Sequence, residues 1–127
     1  MKKIFTENAP RAIGPYSHAI QSGNLIFCSG QTPLNPASMV IEGATASEQT
    51  TLVLTNLETV LKSAGCDRSS IIKTSVFLKN FADFEKMNKA YEAFFGDHKP
   101  ARTTVEVSRL PREALVEIEC VAEVSRT

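Results

Sequence analysis

The sequence predicts an α+β fold, in which a mainly antiparallel sheet is covered on one face by two helices. Two segments carry apolar side chains at helical spacing. The other apolar segments are short, contain many β-branched or alternating residues, and are bounded by Gly, Pro and Asn, as strands are. In chain order the elements read β-β-β-α-β-α-β-β. Because two amphipathic helices cover only one face of such a sheet, we expect the other face to meet another subunit.

Length and composition are typical of one soluble globular domain, which we expect to span residues 1–127. The chain has 14 basic and 14 acidic residues, and a formal net charge of zero argues against nucleic acid or an anionic membrane as a partner. No long apolar segment follows the N-terminal lysines, so we expect neither a signal peptide nor a membrane helix. The three cysteines are far apart and favour reduced thiols in the cytoplasm.

The first part of the chain predicts three strands. Residues 3–6 form a short edge strand, and residues 17–22 and 24–29 flank the turn signal Gly23-Asn24 and so form a hairpin. The second hairpin strand is almost wholly apolar, which favours a central position with both faces buried. A Ser-Gly-Gln turn ends it, and a long proline-containing connection follows.

Two helices and another strand come next. Thr45 and Glu48 fit a capping box, in which each side chain satisfies a free backbone donor of the other residue. A second helix is predicted from about Asp83 to Phe95, after a strand of β-branched residues at 71–79. The first helix carries an apolar stripe before its stop at Gly65, formed by Val53, Leu54, Leu57, Val60, Leu61 and Ala64.

The C-terminal segment, residues 100–122, predicts two strands joined by a hairpin loop. Alternation places Arg102 and Thr104 on one face of the first strand, and Glu117 and Glu119 on one face of the second. If the two strands pair, Thr104 lies opposite Glu117 and Arg102 lies opposite Glu119. One face then gathers a guanidinium, a hydroxyl and carboxylates, which is a composition typical of a functional site.

Four segments resemble the signature segments of the RidA/YjgF family: TENAPRAIGPYSHAI, FCSGQTPLNP, KTSVFLKNFADFEKMNKAYEAFF and PARTTVEVSRLPREALVEIE. The match keeps one register over nearly the whole chain, which makes it far more specific than a single motif. It implies a fold similar to chorismate mutase, a homotrimer, and active sites in the clefts between subunits. It also implies hydrolysis of enamines and imines such as 2-aminoacrylate and 2-iminopropanoate to a 2-keto acid and ammonia.

The resemblance implies catalytic roles for two residues. Arg102 matches the family's ligand for the substrate carboxylate, and its planar fork of donors suits that anion. The alternative is a sheet arginine paired with Glu119 or Glu106. Glu117 matches the family's water-orienting glutamate, a general acid–base role; the alternative is a solvated strand glutamate. Glu119 competes for the same role, so the choice of Glu117 depends on the motif match.

Substrate contacts are implied for Tyr16, Ser29, Gly30, Asn88 and Thr104. Tyr16 is expected to reach a neighbouring subunit's site, although a packing aromatic residue is equally consistent with the composition. The turn at Ser29 and Gly30 offers a backbone donor and close approach to a ligand, or simply ends a strand. Asn88 places an amide on the apolar side of a helix, where a structural hydrogen bond and a site contact are equally good explanations.

Two residues depart from the family's pattern. Thr104 stands where well-known members have cysteine, so thiol chemistry is excluded there and only backbone contacts or hydroxyl bonding remain. His18 stands where glutamine is usual, and the residues leave open whether this histidine titrates or is structural. Cys28 and Cys120 are expected to pack as small hydrophobic residues.

The sequence indicates no metal site, since it has two histidines and no paired cysteines, and no phosphate loop or dinucleotide motif. The implied hydrolysis needs no cofactor, and substrates of three or four carbons are expected. Two other functions stay open: RNA cleavage, against which the zero net charge argues, and a non-catalytic binding module. The presence of both Arg102 and Glu117 favours the enzyme, because a scaffold does not need both.

Overall fold

The computed structural model describes residues 1–124 and contains all eight elements in the expected order. Neither helix in this part of the chain is long and apolar enough to cross a membrane. The strands are β1 (Lys2–Ile4), β2 (Ala19–Ser22), β3 (Leu25–Gln31), β4 (Ile71–Leu78), β5 (Ala101–Glu106) and β6 (Val116–Glu123). The helices are α1 (Ala46–Lys62) and α2 (Phe84–Phe95).

All six strands form one sheet in the order β1-β2-β3-β6-β4-β5. Only β4 and β5 run parallel among these pairs, so the predicted mainly antiparallel sheet is confirmed. The two helices contact each other and cover one face of the sheet. The core between helices and sheet includes the fully buried side chains of Ile26, Leu54, Leu57, Leu61, Ile71, Leu78, Met87 and Ile118.

The predicted hairpin between β5 and β6 is wrong, because β4 lies between these strands. Helix α2 connects β4 to β5 and returns the chain to the same end of the sheet, which makes this pair parallel. Arg102 therefore lies opposite Thr74 of β4, and Glu117 lies opposite Phe77. Since Thr74 and Phe77 are an odd number of positions apart, Arg102 and Glu117 lie on opposite faces of the sheet.

Helix α1 begins at the predicted cap. The Thr45 hydroxyl oxygen accepts a hydrogen bond from the Glu48 N–H (3.2 Å), and the hydroxyl donates to the Glu48 carboxylate (3.1 Å). This carboxylate thus bonds the Thr45 side chain rather than its backbone N–H, so only half of the predicted box forms. Beyond the C-terminal turn, Gly65 has a φ of 79°, the left-handed conformation predicted to end the helix.

The sheet face away from the helices carries apolar and charged side chains side by side. Phe27 is 48% exposed and Val105 is 41% exposed. Lys73 lies between them on β4 and donates a hydrogen bond to the Thr103 hydroxyl (2.8 Å). A partly exposed apolar face of this kind suits a subunit contact. The oligomeric state stays a prediction.

Candidate active site

The predicted site residues form two groups on opposite faces of the sheet. Arg102 and Asn88 line a cavity of about 270 Å³ beside α2, which we call the arginine half-site. Tyr16, Gly30 and Glu117 line a smaller cavity of about 60 Å³, which we call the glutamate half-site. The sheet separates the two half-sites in a single chain.

In the arginine half-site, aromatic rings of α2 hold the guanidinium. The Cζ of Arg102 lies 4.8 Å from the Tyr91 ring centroid and 5.7 Å from that of Phe84. Such contacts orient the guanidinium plane and leave its N–H donors available. A 2.7 Å hydrogen bond between the Tyr91 and Thr74 hydroxyls fixes the first ring. The sequence indicated these rings only as part of an apolar stripe, although their spacing from Asn88 puts them on the same helix side.

The two glutamates considered as partners for Arg102 are engaged elsewhere or out of reach. Glu106 accepts a hydrogen bond from the Phe81 N–H (2.7 Å). Glu119 lies on the opposite face of the sheet. Within residues 1–124, no carboxylate forms an ion pair with Arg102. The alternative of a paired sheet arginine is therefore wrong, and the guanidinium is available to bind an anion.

Two polar side chains near Arg102 also lack protein partners. The buried Thr104 Oγ1 has no hydrogen-bond partner in the part of the chain that the structure describes. Thr104 is two residues after Arg102 on β5 and so lies on the same face. The Asn88 amide lines the cavity and forms no hydrogen bond with another side chain or backbone group of residues 1–124. Groups of this kind usually meet a ligand, a water molecule or another subunit.

The glutamate half-site is built around a close contact between Gly30 and Glu117. A Cβ atom at position 30 would lie 2.9 Å from Glu117 Oε2, so the carboxylate occupies the space that a side chain would fill. Burial, and then the negative charge of Glu119, raises the pKa of Glu117 above the ordinary carboxyl value. A carboxyl group with a raised pKa is better suited than an ordinary one to give protons as well as take them.

Tyr16 and Ser29 have structural hydrogen bonds in the single chain. The Tyr16 hydroxyl accepts a hydrogen bond from the Ile13 N–H (3.3 Å), while the ring is 43% exposed beside the glutamate half-site. The Ser29 hydroxyl donates to the Ser17 carbonyl (2.7 Å), which connects β3 to the preceding loop. Their substrate contacts stay predictions.

His18 is a structural residue in this chain. It is 4% exposed, and its Nε2–H donates to the Pro10 carbonyl (2.7 Å). Its Nδ1 accepts from the Thr6 N–H (3.1 Å), so both ring nitrogens are used by a neutral imidazole. His18 therefore holds the loop of residues 6–10 through both ring nitrogens.

Cys28 and Cys120 face each other across β3 and β6 and are buried in the core, as predicted. The neighbouring Cys28 thiol, together with burial, raises the pKa of Cys120 and disfavours a reactive thiolate. Within residues 1–124, no group of three or more His, Cys, Asp or Glu side chains is placed to hold a metal ion.

One residue of the glutamate half-site was not singled out in the sequence. Arg11 lines this cavity together with Tyr16 and Glu117. The only signal in the sequence is a basic residue placed between Pro10 and the Gly-Pro turn of the same loop. Composition and periodicity do not distinguish such an arginine from a solvated one.

Comparison with known proteins identifies the family. A family model described as Endoribonuclease L-PSP matches residues 6–124. A solved structure of the YjgF gene product of Escherichia coli is 44% identical, with a TM-score of 0.92 over 97% of this chain and 98% of that chain. The chain belongs to the RidA/YjgF family.

RidA/YjgF relatives of this chain carry different descriptions. One, 44% identical over 95% of this chain and 96% of its own length, is the 2-iminobutanoate/2-iminopropanoate deaminase of Escherichia coli. A solved structure of Escherichia coli TdcF with bound serine is 38% identical, with a TM-score of 0.93 over 98% of this chain and 100% of that chain. Because the RidA/YjgF family model is itself described as an endoribonuclease, membership alone does not choose the activity.

Proposed function

We propose that this protein is an enamine/imine deaminase that hydrolyses 2-iminopropanoate, 2-aminoacrylate and similar small 2-imino acids to 2-keto acids and ammonia. Two features of each chain support the proposal: the Arg102 guanidinium is held by aromatic rings without an ion-pair partner among residues 1–124, and the Glu117 carboxyl group on the other sheet face has a raised pKa. These two groups match the two ends of a 2-imino acid, its carboxylate and its C=N bond. The name of the Escherichia coli relative supports the same reaction.

In this reaction Arg102 binds the substrate carboxylate through two parallel N–H donors. The Asn88 amide and the Thr104 hydroxyl supply further hydrogen bonds to the bound substrate. A relative with serine bound supports a site for a small amino-acid-like molecule in this fold.

Glu117 carries the protons. Its carboxylate takes a proton from water as the water oxygen bonds to the imine carbon, and the proton passes to the nitrogen. Glu117 then moves the hydroxyl proton of the resulting carbinolamine to its nitrogen, the C–N bond breaks, and ammonia leaves the 2-keto acid behind. An enamine such as 2-aminoacrylate enters the same sequence after it takes a proton on its terminal carbon and becomes the imine. Water is the only co-reactant.

The complete site is assembled between chains, in this proposal. Arg102 and Glu117 lie on opposite faces of one sheet, and a three-carbon substrate is too short to reach both. A closed ring of three chains, as the resemblance implies, would place the arginine half-site of each chain against the glutamate half-site of the next. The partly exposed apolar face of the sheet supports an association of this kind.

A subunit-mixing experiment tests both the reaction and the assembly. Keto acid release is measured from imines generated in situ by an amino-acid oxidase, for wild type, Arg102→Gln and Glu117→Gln. We expect wild type to accelerate release and each variant alone to be inactive. After subunit exchange of the two variants at equal amounts, about one quarter of the clefts in a ring would regain both residues.

The matched control mixes Glu117→Gln with the Arg102→Gln/Glu117→Gln double variant, which cannot restore a complete cleft. No acceleration by folded, assembled wild type would overturn the deaminase. Mass-tagged chains verify that subunits have exchanged. If wild type accelerates release but the exchanged mixture of variants regains no activity, the shared site is overturned and the deaminase reaction still stands.

RNA cleavage is a second candidate because of the description of the matching family model. The formal net charge of zero disfavours it, since binding to a phosphate backbone depends on basic residues. Salt-sensitive retention of RNA, with cleavage lost in Glu117→Gln, would favour this candidate over the deaminase.

A further inference from the structure

The glutamate half-site is lined by an arginine, Arg11, that the hydrolysis of small monocarboxylic imines does not use. We propose that Arg11 binds a second carboxylate and so extends the substrate class to dicarboxylic 2-imino acids, such as 2-iminosuccinate and 2-iminoglutarate. This inference rests on the proposed deaminase function. It concerns the choice of substrate and not the chemical step.

The loop around Arg11 is fixed on both sides. Immediately before it, the buried Pro10 uses its carbonyl to accept the His18 Nε2–H hydrogen bond (2.7 Å). After it, the Tyr16 hydroxyl accepts from the Ile13 N–H (3.3 Å). Two internal hydrogen bonds thus hold the backbone on either side of Arg11, so its side chain extends from a fixed position beside the glutamate half-site.

The Arg11 side chain is exposed and keeps its donors available. Arg11 and Glu7 line a wide cleft on the outside of the chain, but no carboxylate in residues 1–124 forms an ion pair with Arg11. Arg11 lines both this cleft of about 820 Å³ and the small cavity that contains Glu117. Arg11 is thus shared by the two cavities, and its exposed side chain offers five N–H donors to an anionic group that enters from solvent.

The arrangement matches the shape of a dicarboxylic 2-imino acid. In the proposed site the 1-carboxylate is bound by Arg102 of a neighbouring chain, and the imine carbon lies at Glu117. Of the other two groups on the imine carbon, the nitrogen stays beside Glu117, which gives it a proton, and the side chain points towards Arg11. A side chain of one or two methylenes that ends in a carboxylate would form a charge-assisted pair there, while a methyl or ethyl group gains nothing from the guanidinium.

The test compares two substrates in each variant. Imines are generated from aspartate or glutamate by an oxidase of acidic amino acids, and from alanine by an oxidase of neutral ones. The measured quantity is the ratio of kcat/KM for the dicarboxylic imine to that for the alanine-derived imine. We expect this ratio to fall about tenfold in Arg11→Gln, since a hydrogen-bonded charged partner is lost. Arg109→Gln removes one exposed positive charge from a residue that lines neither cavity and should leave the ratio at its wild-type value.

Two outcomes separate this inference from the proposed function. A ratio in Arg11→Gln equal to that of wild type, or an equal fall in Arg109→Gln, would overturn the role of Arg11 while the deaminase stands. Failure of wild type to hydrolyse any imine would remove the proposed function itself. Added salt should also lower the wild-type ratio, because a solvent-accessible ion pair is screened.

Discussion

The Glu117 carboxylate lies in the space that a side chain at Gly30 would occupy, with Oε2 2.9 Å from the position of a Cβ atom there. The obstructing atom is the end of a flexible side chain and not backbone. A methyl group at position 30 is therefore accommodated by moving the carboxylate, and function is affected more than folding.

Gly30→Ala should lower kcat/KM for imine hydrolysis at least tenfold, because a displaced carboxylate no longer aligns with water and substrate. The free energy of unfolding should change by less than about 1 kcal/mol. Steady-state kinetics and urea denaturation measure the two effects. A loss of several kcal/mol with unchanged kcat/KM would show that the close contact serves packing instead.

Thr104→Val tests the buried hydroxyl without a partner. Valine has nearly the same shape, so only the hydrogen-bonding capacity is removed. We expect kcat/KM to fall about fivefold to tenfold, as for the loss of one hydrogen bond of about 1–1.5 kcal/mol, if substrate satisfies the hydroxyl. Thr104→Ser retains the hydroxyl and should keep most of the activity. A fully active and more stable Thr104→Val would mean that no ligand uses this group.

The pH dependence of the reaction should report on Glu117. As a base it acts in the ionised form, so kcat/KM should rise with pH through the pKa of Glu117, which burial and then Glu119 place above the ordinary carboxyl value. Glu119→Gln removes the neighbouring negative charge and should move this acid limb to lower pH. If the acid limb of the pH profile does not move in Glu119→Gln, this limb reports the titration of a group other than Glu117.

The same raised pKa has a consequence for stability. Because the pKa of Glu117 is higher in the folded than in the unfolded chain, folding favours the protonated form. Its contribution to stability is present at pH values below the unfolded carboxyl pKa and is lost as pH rises through the folded pKa. Glu117→Gln should therefore raise Tm relative to wild type at neutral pH, with the difference shrinking towards acidic pH. A pH-independent difference would contradict the assigned cause.

Arg68 offers a stability test away from both half-sites. The Nε and one terminal nitrogen of Arg68 donate to the two carboxylate oxygens of Glu58 (2.9 and 2.8 Å). The other terminal nitrogen donates to the Phe94 carbonyl (2.7 Å), and the Cζ of Arg68 lies 3.8 Å from the Phe94 ring centroid. Arg68→Lys cannot reproduce this fork. Because the arginine is partly exposed, we expect a loss of only about 1–2 kcal/mol in urea unfolding, with kcat/KM unchanged in the folded variant.

Local patterns in the sequence were sufficient to predict the order of the elements. The predicted Ser-Gly-Gln turn is wrong, because β3 continues to Gln31, with a register shift between Cys28 and Gln31. Alternation and helical spacing gave every strand and helix in order, because these patterns record which face of each element is buried. The predicted pairing of β5 with β6 was wrong. Strands that are neighbours in sequence often pair, but after the α2 crossover β5 pairs with the edge of β4 that faces away from β6. Strand order depends on contacts between distant segments, which periodicity does not encode.

The roles of the candidate site residues stay predictions, but their geometry can be compared. The hairpin predicted from alternation placed Arg102 and Glu117 on one face, and the resemblance then assigned both to the active site. In the structure the sheet separates the two residues. Arg102 lies beside aromatic rings, and Glu117 lies against Gly30. Arg11 was missed because only the folded loop brings it to the cavity.

The opposite-face placement of Arg102 and Glu117 also determines how the rate should depend on the amount of protein. If each cleft needs two chains, dilution removes clefts by mass action, and the rate per chain falls even though every chain stays folded. Assays at very low enzyme concentration would then report dissociation and not catalysis. In a cell, reduced expression would lower the clearance of imines more than in proportion to the protein lost.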